Sequence, residues 1–532
     1  MHPCRTNILV MFNLFSLLLF SSFSTQGSAT CINVEKSFSY DIVKPEITSI
    51  TDRFEGYNLY VVERTDSVDW NSNNRTIVIS DLNNNIYFTK EIYHEAALAD
   101  YAAEFINSTT ILYGDLEGAF LWNLETNVTE YLNFCGHHDY EKNYANDTYF
   151  ALNGDWFSID DIVYGFDKIM EFNSDGELIW QVNTTDFVLP SQWCPYEDGS
   201  ESSRDITHSN TVFYDEEEDV VYLNCRNLNT FYKIDHKTGE VIWALGEYGN
   251  FTLFDIYGNE KYALFYHAHA LEMVDKNKFI IFDNDEHNQT DATNHRSRLL
   301  EITIDEDKMY ANASWEWISP PEYFRGWWGD NDRLPNNNHL GVFKSACLVE
   351  VNEAGEIIWE QEYSNTGSMW FGIYKAERIR FAPTVSEPRF IALGENDSFL
   401  EWDIWYNYRS KTEFVGEYFL MVDDVQVATG PVVYPRFWDP TQITYNISLE
   451  ELDDHEIELI VSDEAGHLSN ETDRFNPIGV ISPVPSIRFK VILGLSIGLG
   501  VPTLASILFV IWWRLIKKKP LKFKKINRLN PA

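Results

Sequence analysis

One short pattern constrains this chain more than any other. Asp175-Gly176-Glu177-Leu178-Ile179-Trp180 returns as Thr238-Gly239-Glu240-Val241-Ile242-Trp243 and again as Ala354-Gly355-Glu356-Ile357-Ile358-Trp359. A degenerate copy is Glu117-Gly118-Ala119-Phe120-Leu121-Trp122. The tryptophans at 122, 180, 243 and 359 are spaced by 58, 63 and 116 residues, and the last gap is twice the first. The skipped copy is Trp315, in Ala313-Ser314-Trp315-Glu316-Trp317. Each copy reads as a hairpin with glycine at the turn and tryptophan on the outgoing strand. Runs such as Val220-Val221-Tyr222-Leu223 and Phe279-Ile280-Ile281-Phe282 are β-branched or aromatic and bounded by Asp, Asn and Gly, as strands are. Four short strands per unit, repeating, is the pattern of a β-propeller. Residues 40–385 hold close to six units, so an all-β, six-bladed β-propeller is expected there, with the tryptophans packing between blades. Helical periodicity is scarce, and Glu91–Phe105 is the one short helix expected.

The repeat stops after Pro383. Residues 386–478 read as about seven short strands of an immunoglobulin-like β-sandwich. Residues 479–490 read as a stalk, within a stretch that carries Pro477, Pro483 and Pro485.

The two ends carry topology signals. Ile8–Phe20 is a short apolar run behind Arg5, followed by small residues, so 1–29 is expected to be a signal peptide. Val491–Trp513 has no charge and is long enough for one transmembrane helix at 491–513. Residues 514–532 hold eight basic residues and no acid, which predicts a cytoplasmic tail. The chain would then be a single-pass protein of the cell membrane with its N-terminal domains outside. Eleven Asn-x-Ser/Thr sequons, all between Asn74 and Asn470, fit a glycosylated outer face. Five cysteines, an odd count, remain after residue 29, so at least one is free or pairs between chains.

Charge excludes one class of function. The chain has 40 Lys+Arg against 82 Asp+Glu. Removing Arg5 and the eight basic residues of the tail leaves 31 bases against 82 acids between residues 31 and 513, a net of −51. That is incompatible with a nucleic-acid binder that works through a basic groove. A GxxxxGK[ST] phosphate loop and a GxSxG elbow are both missing from the sequence, so a nucleotide donor and a serine-hydrolase site are not suggested.

Three histidines share a context. His138, His208 and His269 each open a segment that enters an apolar strand about ten residues later, and they are 70 and 61 residues apart. In a propeller, such positions converge on one mouth of the central channel. Three imidazoles could bind zinc. With Arg226 at the end of the strand that the His208 segment enters, they would instead suit an anionic group, one histidine acting as nucleophile and another as acid or base. Asn210, two residues beyond His208, faces the same way on a strand.

The stretch His208-Ser209-Asn210-Thr211-Val212, with Asn224-Cys225-Arg226 and Gly239–Gly246, resembles the arylsulfate sulfotransferase (arylsulfotransferase) family. So do His269-Ala270-Leu271 with Phe282-Asp283-Asn284, His137-His138-Asp139, Ser297-Arg298-Leu299-Leu300-Glu301 and Arg333–Asn338. The resemblance implies a six-bladed propeller that moves a sulfuryl group from a phenolic sulfate donor to a phenol acceptor, without a nucleotide, cofactor or metal. It assigns His269 as the transiently sulfurylated nucleophile and His208 as the general acid and base. Asn210, Arg226 and His138 would hold the sulfuryl oxygens. The paired histidines at 137–138 and 267–269, Cys225 beside the arginine, and a second domain placed after the propeller are departures from the family. Two other readings compete: a non-catalytic cell-surface binding or adhesion propeller, and a three-histidine metal-dependent hydrolase.

Overall fold

A computed structural model describes the chain between residues 53 and 469, except for 67–68, 93–101, 116–117, 197–201, 286–294, 364–368, 387, 393–397, 407–413, 435–439, 448–454 and 465. The expected signal peptide, stalk, membrane helix and basic tail lie outside the described residues. Among those that are described, no helix is long and apolar enough to cross a membrane.

The described chain is all-β apart from a few turns of 3-10 helix. Six mainly antiparallel sheets follow one another between Tyr57 and Ile379. The first contains Tyr57–Asp66, Asp69–Asp81 and Ile86–Ile92, and the late strand Met369–Ile379 completes it by pairing with Tyr57–Asp66. The second runs Ala103–Asn107, Thr110–Asp115, Gly118–Asn123, Val128–Tyr131. The third runs His137–Asn143, Thr148–Ile159, Ile162–Phe172, Leu178–Asn183, with Ser203–Asp205 added in parallel. The fourth runs Ser209–Asp215, Val220–Cys225, Thr230–Asp235, Val241–Gly246. The fifth, His269–Asp275, Lys278–Asp283, Arg298–Asp305, Tyr310–Ile318, carries two extra short strands. The sixth runs Asp330–Arg333, His339–Phe343, Cys347–Val351, Ile357–Glu362.

The leading strands pack side by side in turn: that of His137 on that of Ser209, then His269, then Asp330, then Met369–Ile379, which meets Ala103–Asn107. This succession is consistent with a β-propeller. Buried leading strands and half-exposed outer strands fit it: every residue of Ser209–Asp215 is buried, whereas Leu178–Asn183 is mostly accessible.

The repeat has a local cause. Gly176, Gly239 and Gly355 have φ of 78°, 73° and 82°, where a side chain is strained. In two copies an asparagine closes the turn. Asn173 Oδ1 accepts from the Glu177 amide and its Nδ2 donates to the Glu177 carboxylate; Asn352 and Glu356 do the same. That explains why glutamate follows glycine there. Each tryptophan then reaches the next sheet. Trp180 packs 4.9 Å from His236, Trp243 meets Phe279, Trp315 Nε1 donates to Glu353 O, and Trp359 Nε1 donates to Leu82 O.

Two sequence expectations need correction. The described parts of Glu91–Phe105 are strand, ending Ile86–Ile92 and opening Ala103–Asn107, with 93–101 outside the described residues. Glu104, Phe105 and Ile106 are all buried, in a strand covered on both faces, which a helical count misreads. Trp122 lies on the third strand of its sheet, not the fourth, so the degenerate copy is out of phase with the others.

Seven described strands follow from Thr384 to Asp463, in sheets of four and three. Their core residues, including Trp402, Tyr434 and Val461, are continuous with Leu59, Ile77 and Trp122 of the first two sheets. Cys135 is disulfide-bonded, while Cys194, Cys225 and Cys347 are buried free thiols.

Candidate functional site

The site is built where the leading strands begin. His138 is the second residue of its strand, His208 directly precedes Ser209–Asp215, and His269 opens His269–Asp275. Ser209 pairs with Cys225 across the hairpin, which returns Arg226 to His208, whose carbonyl accepts from the Arg226 amide at 3.3 Å. Tyr374, from the strand that completes the first sheet, stands between the histidines. Its ring is 5.9 Å from His138, 6.2 Å from His269 and 6.1 Å from Trp328, and His138 is 5.1 Å from His208.

The tautomer of His269 follows from its neighbours. Asn284 Nδ2 donates to the carbonyls of Arg325 and Trp328, at 2.8 and 2.9 Å, so its Oδ1 is the acceptor. His269 Nδ1 lies 2.8 Å from that oxygen and therefore carries the ring proton. Nε2 is left with the lone pair, and the Trp328 amide donates to it at 3.3 Å. Burial holds the His269 pKa well below the usual imidazole value; the Arg226 guanidinium, His208 and His138 push the same way, against the Asn284 bond. His269 is thus a neutral imidazole with an oriented lone pair in a positively charged neighbourhood.

His208 is held differently. Its Nδ1 sits 2.6 Å from Asp205 Oδ2, an arrangement that fixes the ring and supports the proton-accepting strength of Nε2. The doubled histidines resolve into two roles. His137 Nδ1 and His138 Nδ1 are 2.6 Å apart, so one proton lies between them, and His137 Nε2 lies 3.2 Å from Asp167. Burial pushes the Asp167 carboxyl up, but His137, the Ser209 amide and Thr207 together hold it below the usual carboxylate range. Asp167 therefore accepts from His137 Nε2–H. The two rings are thereby tied to each other and, through His137, to Asp167. His267 is fully buried and turned toward Cys194, Nε2 to Sγ 3.4 Å, so it does not join the ring cluster that includes His269.

Asn210 Nδ2 donates to Ala268 O at 2.9 Å and its Oδ1 accepts from Asn224, so its amide braces the residue before His269. Arg226 is buried, with Nη1 donating to Asn227 Oδ1 at 2.8 Å. Burial also drives the adjacent Cys225 thiol far up, so it stays protonated and unreactive. Among the described residues the group with metal-like spacing is Cys347, Glu360 and Glu362, on the sixth sheet and without a histidine. Lys344 Nζ already lies 2.6 Å from Glu362 and 3.7 Å from Glu360, so the acids there have their cation.

Sequence reasoning did not single out Tyr374, Trp328, Asp205 or Asn284 as site residues. Asp205, three residues before His208, and Asn284, inside a stretch already compared with the family, carry a signal of proximity. Tyr374 carries none, because its strand joins a sheet that begins some 300 residues earlier.

A family profile for Arylsulfotransferase (ASST) matches residues 58–374, more than half of the chain. Among curated proteins, none matches the chain. Among solved structures, the chain is similar to the periplasmic gluconolactonase of Pseudomonas aeruginosa at 9% identity and a TM-score of 0.34, covering 74% of this chain and 99% of that one. It is similar to an apocarotenoid oxygenase of Synechocystis at 10% identity and 0.30, covering 76% and 95%. A putative 6-phosphogluconolactonase of Bacteroides fragilis matches at 8% and 0.30, covering 62% and 99%. The profile match spans five of the six leading strands in full and includes all five residues assigned from the resemblance. On that match, the chain belongs to the arylsulfotransferase (ASST) family.

Proposed function

We propose that the chain moves a sulfuryl group from a phenolic sulfate to a phenol through a sulfohistidine at His269. Family membership implies a sulfotransferase acting with a phenolic sulfate donor and a phenol acceptor. The observation that carries the finer reading is the His269 lone pair, held at Nε2 by Asn284 and kept unprotonated by burial and Arg226.

In the first half-reaction Nε2 attacks sulfur, the S–O bond to the donor phenol breaks, and His208 protonates the leaving phenolate. In the second, the acceptor phenol gives its proton to His208 as its oxygen attacks sulfur. The S–N bond then breaks and returns the electron pair to Nε2. Charge spreads over the sulfuryl oxygens in both transition states, where Arg226 is the fixed counter-charge. His138 adds a third imidazole beside them. Asn210 uses one of its two amide hydrogens on Ala268, and the other is assigned to a sulfuryl oxygen. Tyr374 fills the space between the rings and limits water.

The same proposal covers the setting: six sheets as six blades of one propeller, an immunoglobulin-like sandwich at 386–478, and an extracellular enzyme held by a helix at 491–513. The test is the purified full chain with 4-nitrophenyl sulfate and phenol. Peptide mass analysis after donor alone should find one sulfuryl group on His269. Turnover by a His269→Ala variant at the wild-type rate would sink the mechanism.

A further inference from the structure

A cleft of about 290 Å³ lies beside the site and has no part in the chemistry described above. Four tyrosines line it: Tyr196, Tyr248, Tyr262 and Tyr266. Glu247 stands among them. Tyr262 Oη donates to Glu247 Oε1 at 3.4 Å, and Asn229 Nδ2 donates to Oε2 at 2.7 Å. Burial pushes the phenols of Tyr248, Tyr262 and Tyr266 up, and the Glu247 charge pushes all three further the same way, which places it within reach of each ring. Glu247 is in no ion pair among the described residues. Tyr262 is 69% exposed, an expensive way to leave an aromatic ring unless something covers it.

The floor joins the cleft to the reaction. Asn227, which lines it, is the acceptor for Arg226 Nη1. Asn229 Oδ1 accepts from the amide of His267, two residues before His269. The cleft thus adjoins Arg226 through Asn227 and the segment before His269 through Asn229. Tyrosine faces attract cations through their quadrupoles, and a carboxylate among them supplies the opposite charge. Nothing in that set suits the sulfuryl group itself, which would meet Glu247 as a like charge.

We propose that this tyrosine and glutamate cleft binds an organic ammonium group carried by the acceptor, so that the preferred acceptors are phenols bearing a cationic amine. The inference rests on the sulfuryl-transfer reading for its location but not for its binding chemistry. Asn227 links the places for the two ends of such an acceptor: its Nδ2 donates to the carbonyl of Asp205, whose side chain holds His208, and it lines the cleft that contains Glu247.

The test compares two acceptors of nearly equal shape, tyramine and 4-ethylphenol, with 4-nitrophenyl sulfate as donor and the full chain as enzyme. The ratio of kcat/KM, cationic over neutral, should be about tenfold in the wild type. In Glu247→Gln, whose side chain has nearly the same shape, it should fall to within about twofold of unity. Tyr262→Leu, at an exposed position, should lower the ratio without changing the charge. Glu240→Gln, an exposed acid on a hairpin tip, controls for the acidic surface as a whole and should leave the ratio in place. Equal use of the two acceptors, or a preference that survives Glu247→Gln, overturns the proposal. If no acceptor is turned over, the transfer reading fails, and calorimetric titration with tetramethylammonium chloride decides this one. Saturable binding weakened by Glu247→Gln upholds it, and no saturable binding overturns it.

Discussion

The tips of the outer hairpins and the starts of the leading strands both need left-handed backbone, and they meet the need in opposite ways. At the three tips of the Gly-Glu-x-x-Trp copies the positive φ falls on Gly176, Gly239 and Gly355, whereas Asn84, Asn127 and Met309 take it at the other outer tips. At the strand starts it falls on His138, His208, His267, Ala270 and Trp328, with φ between 43° and 63°. A side chain in that region costs about 1–2 kcal/mol. The strained residues are held by their surroundings. His208 O accepts from the Arg226 amide, His138 O from the Ala102 amide, and Trp328 O from Asn284. In the Gly-Glu-x-x-Trp copies glycine relieves the backbone; at the proposed site the backbone is held in that region to aim a ring.

The largest test of that division separates activity from stability. On the proposed sulfohistidine route His269→Ala should lower kcat/KM by about 10⁴-fold or more, since no neighbour could replace a covalent nucleophile. Trp359→Ala should do the reverse. Trp359 is fully buried and its indole nitrogen bonds Leu82 of the first sheet, so removal should cost about 3–5 kcal/mol in urea unfolding. Trp180, partly exposed at the equivalent position, should cost well under half as much.

The same contrast decides what could be read without coordinates. The hairpin tips were legible because their constraint is local: a left-handed residue, an asparagine three before it, a glutamate after it and a tryptophan three further on. His138, His208 and His269 were legible as a spaced set, since equivalent strand starts recur once per unit. Their protonation was not, because Asn284, Asp205 and Asp167 act through contacts that the repeat does not encode. Tyr374 was not legible at all, since its strand joins the first sheet from some 300 residues further along the chain. Glu91–Phe105 misled for the converse reason: its described end, Ala103–Phe105, is buried on every residue, and a strand buried on both faces loses the alternation that distinguishes it from a helix.

The pH dependence sharpens the comparison next. The His269 pKa is depressed in the folded chain, so the acid limb of kcat/KM that it governs lies below the ordinary imidazole value of 6.5. Asn284→Asp places a carboxylate on Nδ1, which raises that pKa and should move the limb upward, with a loss of activity of about 10–100-fold near pH 6. Stability follows the same sign. Because the unfolded chain takes up protons at His269 and at the similarly depressed His339 first, stability falls as pH drops below 6.5. On an outer hairpin His236 runs the other way. Burial lowers its pKa, but Glu171 and Asp219, at 2.8 and 2.7 Å, outweigh that and raise it. Its contribution is full below 6.5 and is lost as pH rises through the raised value. His236→Gln should flatten the alkaline side of a melting-temperature profile and leave the acid side in place.

The smallest effects test the backbone itself. At Gly176 an added Cβ would lie 2.6 Å from Leu132 O and 2.8 Å from Asn133 O, both backbone atoms of the neighbouring sheet, so Gly176→Ala should cost about 2–3 kcal/mol. At Gly355 the nearest atom is Trp317 Cδ1 at 3.4 Å, so Gly355→Ala should cost only the left-handed penalty, about 1 kcal/mol. The opposite change belongs at the site. Ala270→Gly removes the Cβ from a residue at φ 53° directly after His269, and should stabilise the fold by up to about 1 kcal/mol while lowering kcat several-fold. A gain in stability with unchanged kcat would mean that the strain at this strand start does not aim His269. A loss of both would mean that Ala270 is held there by packing and that the contrast between tips and strand starts does not extend to it.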